Sequence, residues 1–155
     1  MELQLELAGV SGRATLFEDK APRTVRALWA ALPIADRGVQ VKWSGDAWRT
    51  EGDHDLGITE VENEGHVLSA GDVIYYPRMK KIGMAYGRAE WRHPDLSIVL
   101  HVSVIGAVTT NLDKLVRASE RVWMGGAQPL RLSRLRRDRE DSASPRRRSL
   151  RRGGT

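Results

Sequence analysis

The sequence predicts a mainly β protein: a closed antiparallel β-barrel with two α-helices that cap its open ends. Short segments of alternating polarity recur along the chain, turn residues separate them at hairpin spacing, and one amphipathic helix lies near each end. Strands and helices do not alternate regularly, as they would around a parallel sheet. The 155 residues suffice for one domain core. We therefore expect a single barrel domain.

Both helices are marked by their apolar stripes and their ends. The first is predicted over residues 21–32, with Pro22 in its first turn and Pro33 after its end. The second is predicted over residues 111–124 and is ended by two glycines. The apolar stripe of the first helix has the i, i+3, i+4, i+7 spacing and comprises Val25, Leu28, Trp29 and Leu32.

Alternating residues predict the strands of the barrel. Leu3, Leu5 and Leu7 share one face of an opening strand, and residues 13–17 form its hairpin partner. The most apolar run, residues 96–105, is predicted as a central core strand. Further strands are predicted at residues 39–43, 47–51, 73–76, 81–86 and 128–132.

The basic character of the chain belongs to its C-terminal end. Residues 131–155 hold ten arginines and three acidic residues, a net charge of +7, whereas the rest of the chain carries −2. We therefore divide the chain into a barrel domain, residues 1–132, and an Arg-rich tail, residues 133–155, which lacks the bulky apolar residues needed to fold alone. Such a tail is expected to be disordered and could contact nucleic acid or another polyanion weakly.

Composition excludes several classes of protein. The chain has no cysteine, so a disulfide framework, a thiol nucleophile and a cysteine-bound metal are all excluded. Residues 1–7 lack the pattern of a signal peptide, and no apolar run is long enough to span a membrane. We expect a cytoplasmic protein without a membrane partner.

Several segments carry a resemblance to a known family. The run from Leu16 to Val25, with its Lys-Ala-Pro and Thr-Val pairs, resembles the second strand and first helix of cyclophilins. Combined with other segments, it is similar to a bacterial family of unknown function with a cyclophilin-like barrel, a resemblance that spans roughly residues 1–135. The other segments are residues 27–33, 71–77, 85–88 and 121–127.

The resemblance implies a fold and no established activity. Cyclophilins are prolyl isomerases whose Phe-His-Arg run follows the first helix on a strand. The comparable segment here reads Val41-Lys42-Trp43-Ser44, so the isomerase motif is missing. Arg49 and Arg88 are the arginines that could replace the isomerase's own.

Aromatic and basic residues near predicted strand ends suggest a ligand pocket at the barrel mouth. Tyrosine and tryptophan offer an apolar body with a polar tip, and arginine can bind a carboxylate through two hydrogen bonds. Ordinary core packing of these rings is the alternative. The predicted ligand-binding residues are Tyr76, Tyr86, Arg88, Trp91 and His93.

Two residues are catalytic candidates, and two clusters could bind a metal. Arg49 could act on a prolyl peptide, and His101 could serve as a base, although a structural histidine is the alternative. In a continuous strand Glu60, Glu62, Glu64 and His66 would share one face, and residues 53–55 offer three further metal ligands in a row. We interpret the first group as a solvated face and the second as a surface loop, and predict neither a metal nor a cofactor.

The sequence therefore leaves three functions open. The first is the binding of a small organic ligand, a carboxylate or an amide, without a reaction. The second is an enzyme, a divergent prolyl isomerase or another catalyst. The third is contact with nucleic acid through the tail, and a homodimer is compatible with each of them.

Overall fold

The computed structural model describes residues 1–96 and 98–135. The predicted tail therefore lies outside the described residues from position 136 onward. In chain order the elements are β1 (Glu2–Leu7), β2 (Val10–Leu16), α1 (Pro22–Ala31), β3 (Ile34–Gln40), a 3-10 turn (Lys42–Ser44), β4 (Gly45–Thr50), β5 (Glu64–Gly65), β6 (Val67–Leu68), β7 (Asp72–Tyr76), β8 (Lys81–Glu90), β9 (Val102–Thr110), α2 (Leu112–Gly125) and β10 (Gln128–Arg134).

Eight of these strands close into an antiparallel barrel. They follow the order β2-β1-β10-β3-β4-β8-β7-β9, and β9 pairs with β2 to complete the circle. The short strands β5 and β6 lie beside this circle, paired with β9 and β8. The predicted fold class is confirmed, and both helices begin and end within one residue of the predicted positions.

The barrel interior is filled by apolar side chains. All eight barrel strands contribute to one buried cluster, which includes the three leucines of β1. Leu115, Ala118 and Val122 of α2 and Val25 and Leu28 of α1 belong to the same cluster. Burial of this apolar surface is the dominant stabilising term, and it leaves the interior packed.

A buried hydrogen bond fixes α2 to the barrel. The indole Nε1–H of Trp48 on β4 donates to the Ser119 hydroxyl at 3.1 Å, and that hydroxyl donates to the Leu115 carbonyl at 2.7 Å. Trp48 and Ser119 are both fully buried. The serine thereby satisfies an indole donor that the apolar interior could not.

A carboxylate from a distant loop caps α1. Ala21 offers no side-chain cap, and instead Glu62 accepts hydrogen bonds from the Thr24 N–H at 2.6 Å, the Thr24 hydroxyl at 2.7 Å and the Arg23 N–H at 3.3 Å. Burial alone would raise the pKa of Glu62, but these donors outweigh it and lower the pKa overall. A negative charge at this end of a helix also interacts favourably with its dipole.

The three glutamates of the alternating group considered as a cation site have separate partners. Glu62 caps α1, Glu60 pairs with Arg23 at 3.2 Å, and Glu64 pairs with His101 at 2.5 Å. Only Glu64 and Gly65 of this segment form a strand, so the continuous strand face assumed from the alternation does not exist. Side chains of the loop at residues 53–55 also have partners of their own. Asp53 forms an ion pair with Lys81, and His54 contacts the Asp36 carboxylate.

Two predicted strands are placed differently. The run at residues 96–105 is not one strand, because β9 begins at Val102 and the chain before it folds back on residues 91 and 92 through a Leu100 N–H to Trp91 carbonyl bond of 2.7 Å. Leu96 and Ile98 consequently project to solvent, 63% and 52% exposed. The strand predicted at residues 39–43 is β3, which starts at Ile34 and ends before the 3-10 turn.

No helix among the described residues has both the length and the apolar content needed to cross a bilayer.

Replacement of Ser119 by alanine tests the link between α2 and the barrel. The Trp48 indole N–H would lose its acceptor inside the core, so we expect the free energy of unfolding to fall by about 1–3 kcal/mol. Denaturant unfolding measures this change. Ser133→Ala is the control, because Ser133 makes no side-chain hydrogen bond within the described part of the chain. Equal stabilities of the two variants would contradict the assigned role of Ser119.

Candidate functional site

A pocket of about 180 Å³ lies on the outer face of the barrel. Successive residues of β7 point to opposite faces: Val73 and Tyr75 belong to the interior cluster, whereas Ile74 and Tyr76 belong to a second, smaller apolar cluster. Tyr76 lines the pocket. The pocket is therefore outside the barrel wall rather than at the barrel mouth, where the sequence interpretation had placed it.

The walls of the pocket are mainly apolar, and its polar side chains are mainly cationic. The apolar part comprises Val41, Trp43, Tyr76, Met79, Trp91, Pro94 and Leu100. The polar part comprises Arg49, Arg78, Arg92 and His93. No acidic side chain lines the pocket among the described residues.

Trp91 forms an apolar wall of the pocket and depends on a glycine. Its side chain is almost fully buried, and its ring meets that of Tyr76 edge-on, with 6.5 Å between the ring centroids. A Cβ atom added at Gly83 of β8 would lie 3.2 Å from the Trp91 ring and 2.6 Å from the Trp48 carbonyl oxygen. Glycine at this position therefore allows both the β4–β8 pairing and the close packing of the indole on the sheet.

One side of the pocket is formed by a hairpin whose two arms are residues 91–94 and 98–100. The His93 N–H donates to the Ile98 carbonyl at 3.0 Å, and the Arg92 N–H donates to the Ser44 hydroxyl at 2.9 Å. The second bond ties the hairpin to the 3-10 turn that carries Trp43. Both sides of the pocket mouth are thus attached to each other.

Arg49 is the residue of the lining that has a shielded hydrogen-bond donor without an acceptor. It lies on β4 directly opposite Gly83, on the outer face. Its Nε–H is shielded from solvent and has no hydrogen-bond acceptor among the described residues. Buried donors without a partner are rare in folded proteins, and each costs about 1–3 kcal/mol. An acceptor supplied by a ligand would remove this cost.

The other polar groups of the pocket have defined states. Arg92 is ion-paired with Glu90, whose second oxygen faces Arg88 at 3.6 Å. The Nδ1 of His93 accepts a hydrogen bond from the Asp95 N–H at 3.1 Å. Burial raises the pKa of the Tyr76 phenol, so its hydroxyl stays protonated at neutral pH.

The structure brings four of the sequence-predicted site residues together and separates three others. Arg49, Tyr76, Trp91 and His93 line the pocket. Tyr86 instead belongs to the barrel interior, where its hydroxyl donates to the Gln40 side-chain oxygen at 3.0 Å. The other two residues have solvent-exposed side chains.

The separated, exposed residues are Arg88 and His101. Arg88 faces Glu90, with most of its side chain in solvent. His101 pairs with Glu64, and its ring centroid is 5.2 Å from that of His66. Neither residue lines the pocket. No group of three potential metal-ligating side chains with suitable placement occurs in the part of the chain that the structure describes.

The sequence interpretation did not single out several pocket residues. Arg78 and Met79 lie in the turn between β7 and β8, which has no recognisable motif beyond the preceding Pro77. Arg92 and Pro94 flank His93 in the segment after β8, where only Trp91 and His93 were predicted as site residues. These two residues reach the pocket because the chain folds back after them, and Pro94, just ahead of the alternating run at residues 96–104, is a local signal of that change of direction.

Comparisons with known proteins agree with this fold. The model of a family described as a protein of unknown function (DUF3830) matches residues 3–134. The structure of McbB in complex with tryptophan has a TM-score of 0.72 at 19% identity, and the match covers 96% of this chain and 49% of McbB. The chain thus spans about half the length of McbB.

A second solved structure is similar over its whole length. The solution structure of the hypothetical protein AF2241 from Archaeoglobus fulgidus has a TM-score of 0.56 at 22% identity, with 87% of this chain and 95% of that chain covered. No curated protein matches the chain. At these identities both likenesses concern the fold alone. Together with the family match they confirm the predicted resemblance to a family of unknown function with a cyclophilin-like barrel.

Replacement of Arg49 by methionine tests whether its guanidinium is unsatisfied in the free protein. Removal of a shielded donor without an acceptor should raise the free energy of unfolding by about 1 kcal/mol. Thermal or denaturant unfolding without added ligand measures this change. Arg88→Met is the matched control and should change the stability little. If Arg49→Met destabilises the protein by a similar amount, Arg49 has a structural role instead.

Proposed function

We propose that this chain, which belongs to the DUF3830 family of proteins of unknown function, binds a small organic ligand in the outer-face pocket. The ligand class is the one expected from the sequence, a carboxylate or an amide. Its polar head accepts hydrogen bonds from Arg49, and its apolar body contacts Tyr76 and Trp91.

The unsatisfied Nε–H of Arg49 is the observation on which this proposal depends. At the wall of this apolar pocket the Nε–H loses hydration without gaining a protein acceptor among the described residues. Either a carboxylate oxygen or an amide carbonyl would supply that acceptor. Most ligand pockets combine apolar walls with a few polar groups that fix the orientation of the ligand, and this pocket follows that pattern.

The volume of the pocket limits the size of the ligand. An apolar cavity of about 150 Å³ is known to hold benzene, and this pocket measures about 180 Å³. A body of one ring, or of a branched chain of similar size, is therefore accommodated. The aromatic walls also favour a flat body, because rings stack or meet edge-on at favourable energy.

The structural neighbour McbB supports the class of ligand by analogy. It was solved in complex with tryptophan, an amino acid that joins an aromatic body to a carboxylate. Shared fold alone does not transfer a function, and sites on one fold differ widely. The support from McbB is therefore weaker than that from the pocket's own residues.

Mass spectrometry of the purified protein tests the proposal. Protein isolated from cells under non-denaturing conditions should retain a small organic molecule that denaturation releases. We expect Arg49→Met to lose most of this molecule, because removal of a charge-assisted hydrogen bond weakens binding by about tenfold or more. The comparison requires equal amounts of folded protein.

Arg88→Met serves as the control, since Arg88 lies on β8 with an exposed side chain and does not line the pocket. It should retain the molecule at the level of the unsubstituted protein. Equal retention by Arg49→Met and the unsubstituted protein would contradict the proposed site. Loss in Arg88→Met alone would favour the sequence-predicted site around Arg88.

A further inference from the structure

Resting on the proposed function, we infer that the pocket selects carboxylates over the corresponding amides, because its polar side chains are hydrogen-bond donors. An amide head needs acceptors for its NH₂ group as well as donors for its carbonyl, whereas a carboxylate accepts only. The polar residues of the lining therefore favour one of the two ligand classes, carboxylates and amides, that the sequence left open.

The arginines and the tryptophans provide donors and no acceptors. A guanidinium has five N–H groups and an indole has one, and neither has a lone pair to accept a bond. Arg49, Arg78 and Arg92 contribute guanidinium groups to the lining, and Trp43 and Trp91 contribute indoles. The side chains of these five residues cannot accept a hydrogen bond from an amide NH₂ group.

His93 is also restricted to donation at its remaining nitrogen. Its Nδ1 accepts the Asp95 N–H, so the neutral imidazole carries its proton on Nε2. Nε2 is then a donor in the neutral ring. A ligand acceptor can use this nitrogen, and a ligand donor cannot.

The acidic side chains beside the lining do not supply an acceptor to it. Asp53, which interacts electrostatically with Arg49, is paired with Lys81 and does not line the pocket. Glu90 faces Arg92 with one carboxylate oxygen and Arg88 with the other, and it is absent from the pocket wall. Among the lining side chains that the structure describes, the Tyr76 hydroxyl and the weakly accepting Met79 sulfur remain as acceptors. One hydroxyl can satisfy at most part of an amide NH₂.

Charge favours the carboxylate as well. Arg92 is balanced by Glu90, but within the described part of the chain neither Arg49 nor Arg78 forms an ion pair, so the free pocket carries excess positive charge. A carboxylate adds an opposite charge that a neutral amide carbonyl lacks, and it can accept two parallel hydrogen bonds from one guanidinium. Desolvation by the apolar walls strengthens this difference.

Matched acid and amide pairs test the selection. The probes are benzoate and benzamide, phenylacetate and phenylacetamide, and 3-methylbutanoate and 3-methylbutanamide, titrated calorimetrically into the full chain at pH 7. Molecules within a pair have the same body, so their ratio of affinities reports on the head group. We expect the acid of at least one pair to bind, and to bind about tenfold or more tightly than its amide.

The outcomes separate the inference from the proposed function. An amide that binds as tightly as its acid overturns the selection and leaves the proposed binding function intact. Absence of binding by every probe up to millimolar concentration overturns the proposed function for bodies of this size, and the selection with it. An acid-selective result supports both.

Two variants of Arg49 connect the selection to the pocket. Arg49→Gln introduces a carbonyl acceptor and removes the charge, so the affinity ratio of acid to amide should fall toward one. Arg49→Lys keeps a charged donor without an acceptor and should preserve a preference for the acid. Arg88→Gln is the control and should leave the ratio unchanged. An unchanged ratio in Arg49→Gln would overturn the role of Arg49 in the selection.

Discussion

Alternation of side chains across each strand of a closed barrel determines where a pocket can form in this protein. One face of every barrel strand points to an interior that the apolar cluster and the two helices fill. The other face points outward and is free to pack against additional chain. The two hairpin arms, residues 91–94 and 98–100, and the loop that carries β6 pack on this outer face over β4, β7 and β8. The pocket forms where that cover is incomplete.

The outer cover combines small residues on the sheet with large ones above it. The outer face of β8 carries small residues, and the Trp91 indole packs closely against the strand there. These residues are Gly83, Ala85 and Ala89. Arg49 emerges from the same surface on the neighbouring strand. The shielded Nε–H of Arg49 beside the buried ring costs stability in the free protein, because this donor has no acceptor among the described residues. Such locally unfavourable arrangements are typical of sites that bind a partner of complementary chemistry.

Much of the fold could be predicted from the sequence, since its signals are local. The prolines at each end of α1 and the three alternating leucines of β1 act through backbone geometry and side-chain direction, which a short window contains. The start of β9 within the apolar run at residues 96–105 could not be predicted in the same way. Alternation continues through residues 96–104, although the chain changes its pairing partner there. Only the pairing of distant strands distinguishes one long strand from a hairpin followed by a strand.

The same limitation applies to the candidate site. Tyr76 and Tyr86 both follow apolar strand residues and are equivalent by local pattern, yet they lie on opposite faces of the barrel wall. Arg49 and Arg88 are likewise alike in sequence context, and only the register of β4 against β8 places Arg49 over Gly83. Residue type therefore predicted the chemistry of the pocket, whereas the selection of its members required the three-dimensional pairing.

A crystal structure of the protein grown with benzoate would test the location of the site most directly. We predict that the benzoate carboxylate lies within hydrogen-bond distance of the Arg49 guanidinium and that its ring contacts Tyr76 and Trp91 on the outer face of the barrel. A benzoate bound at the barrel mouth, or beside Arg88 with the outer-face pocket empty, would contradict this account.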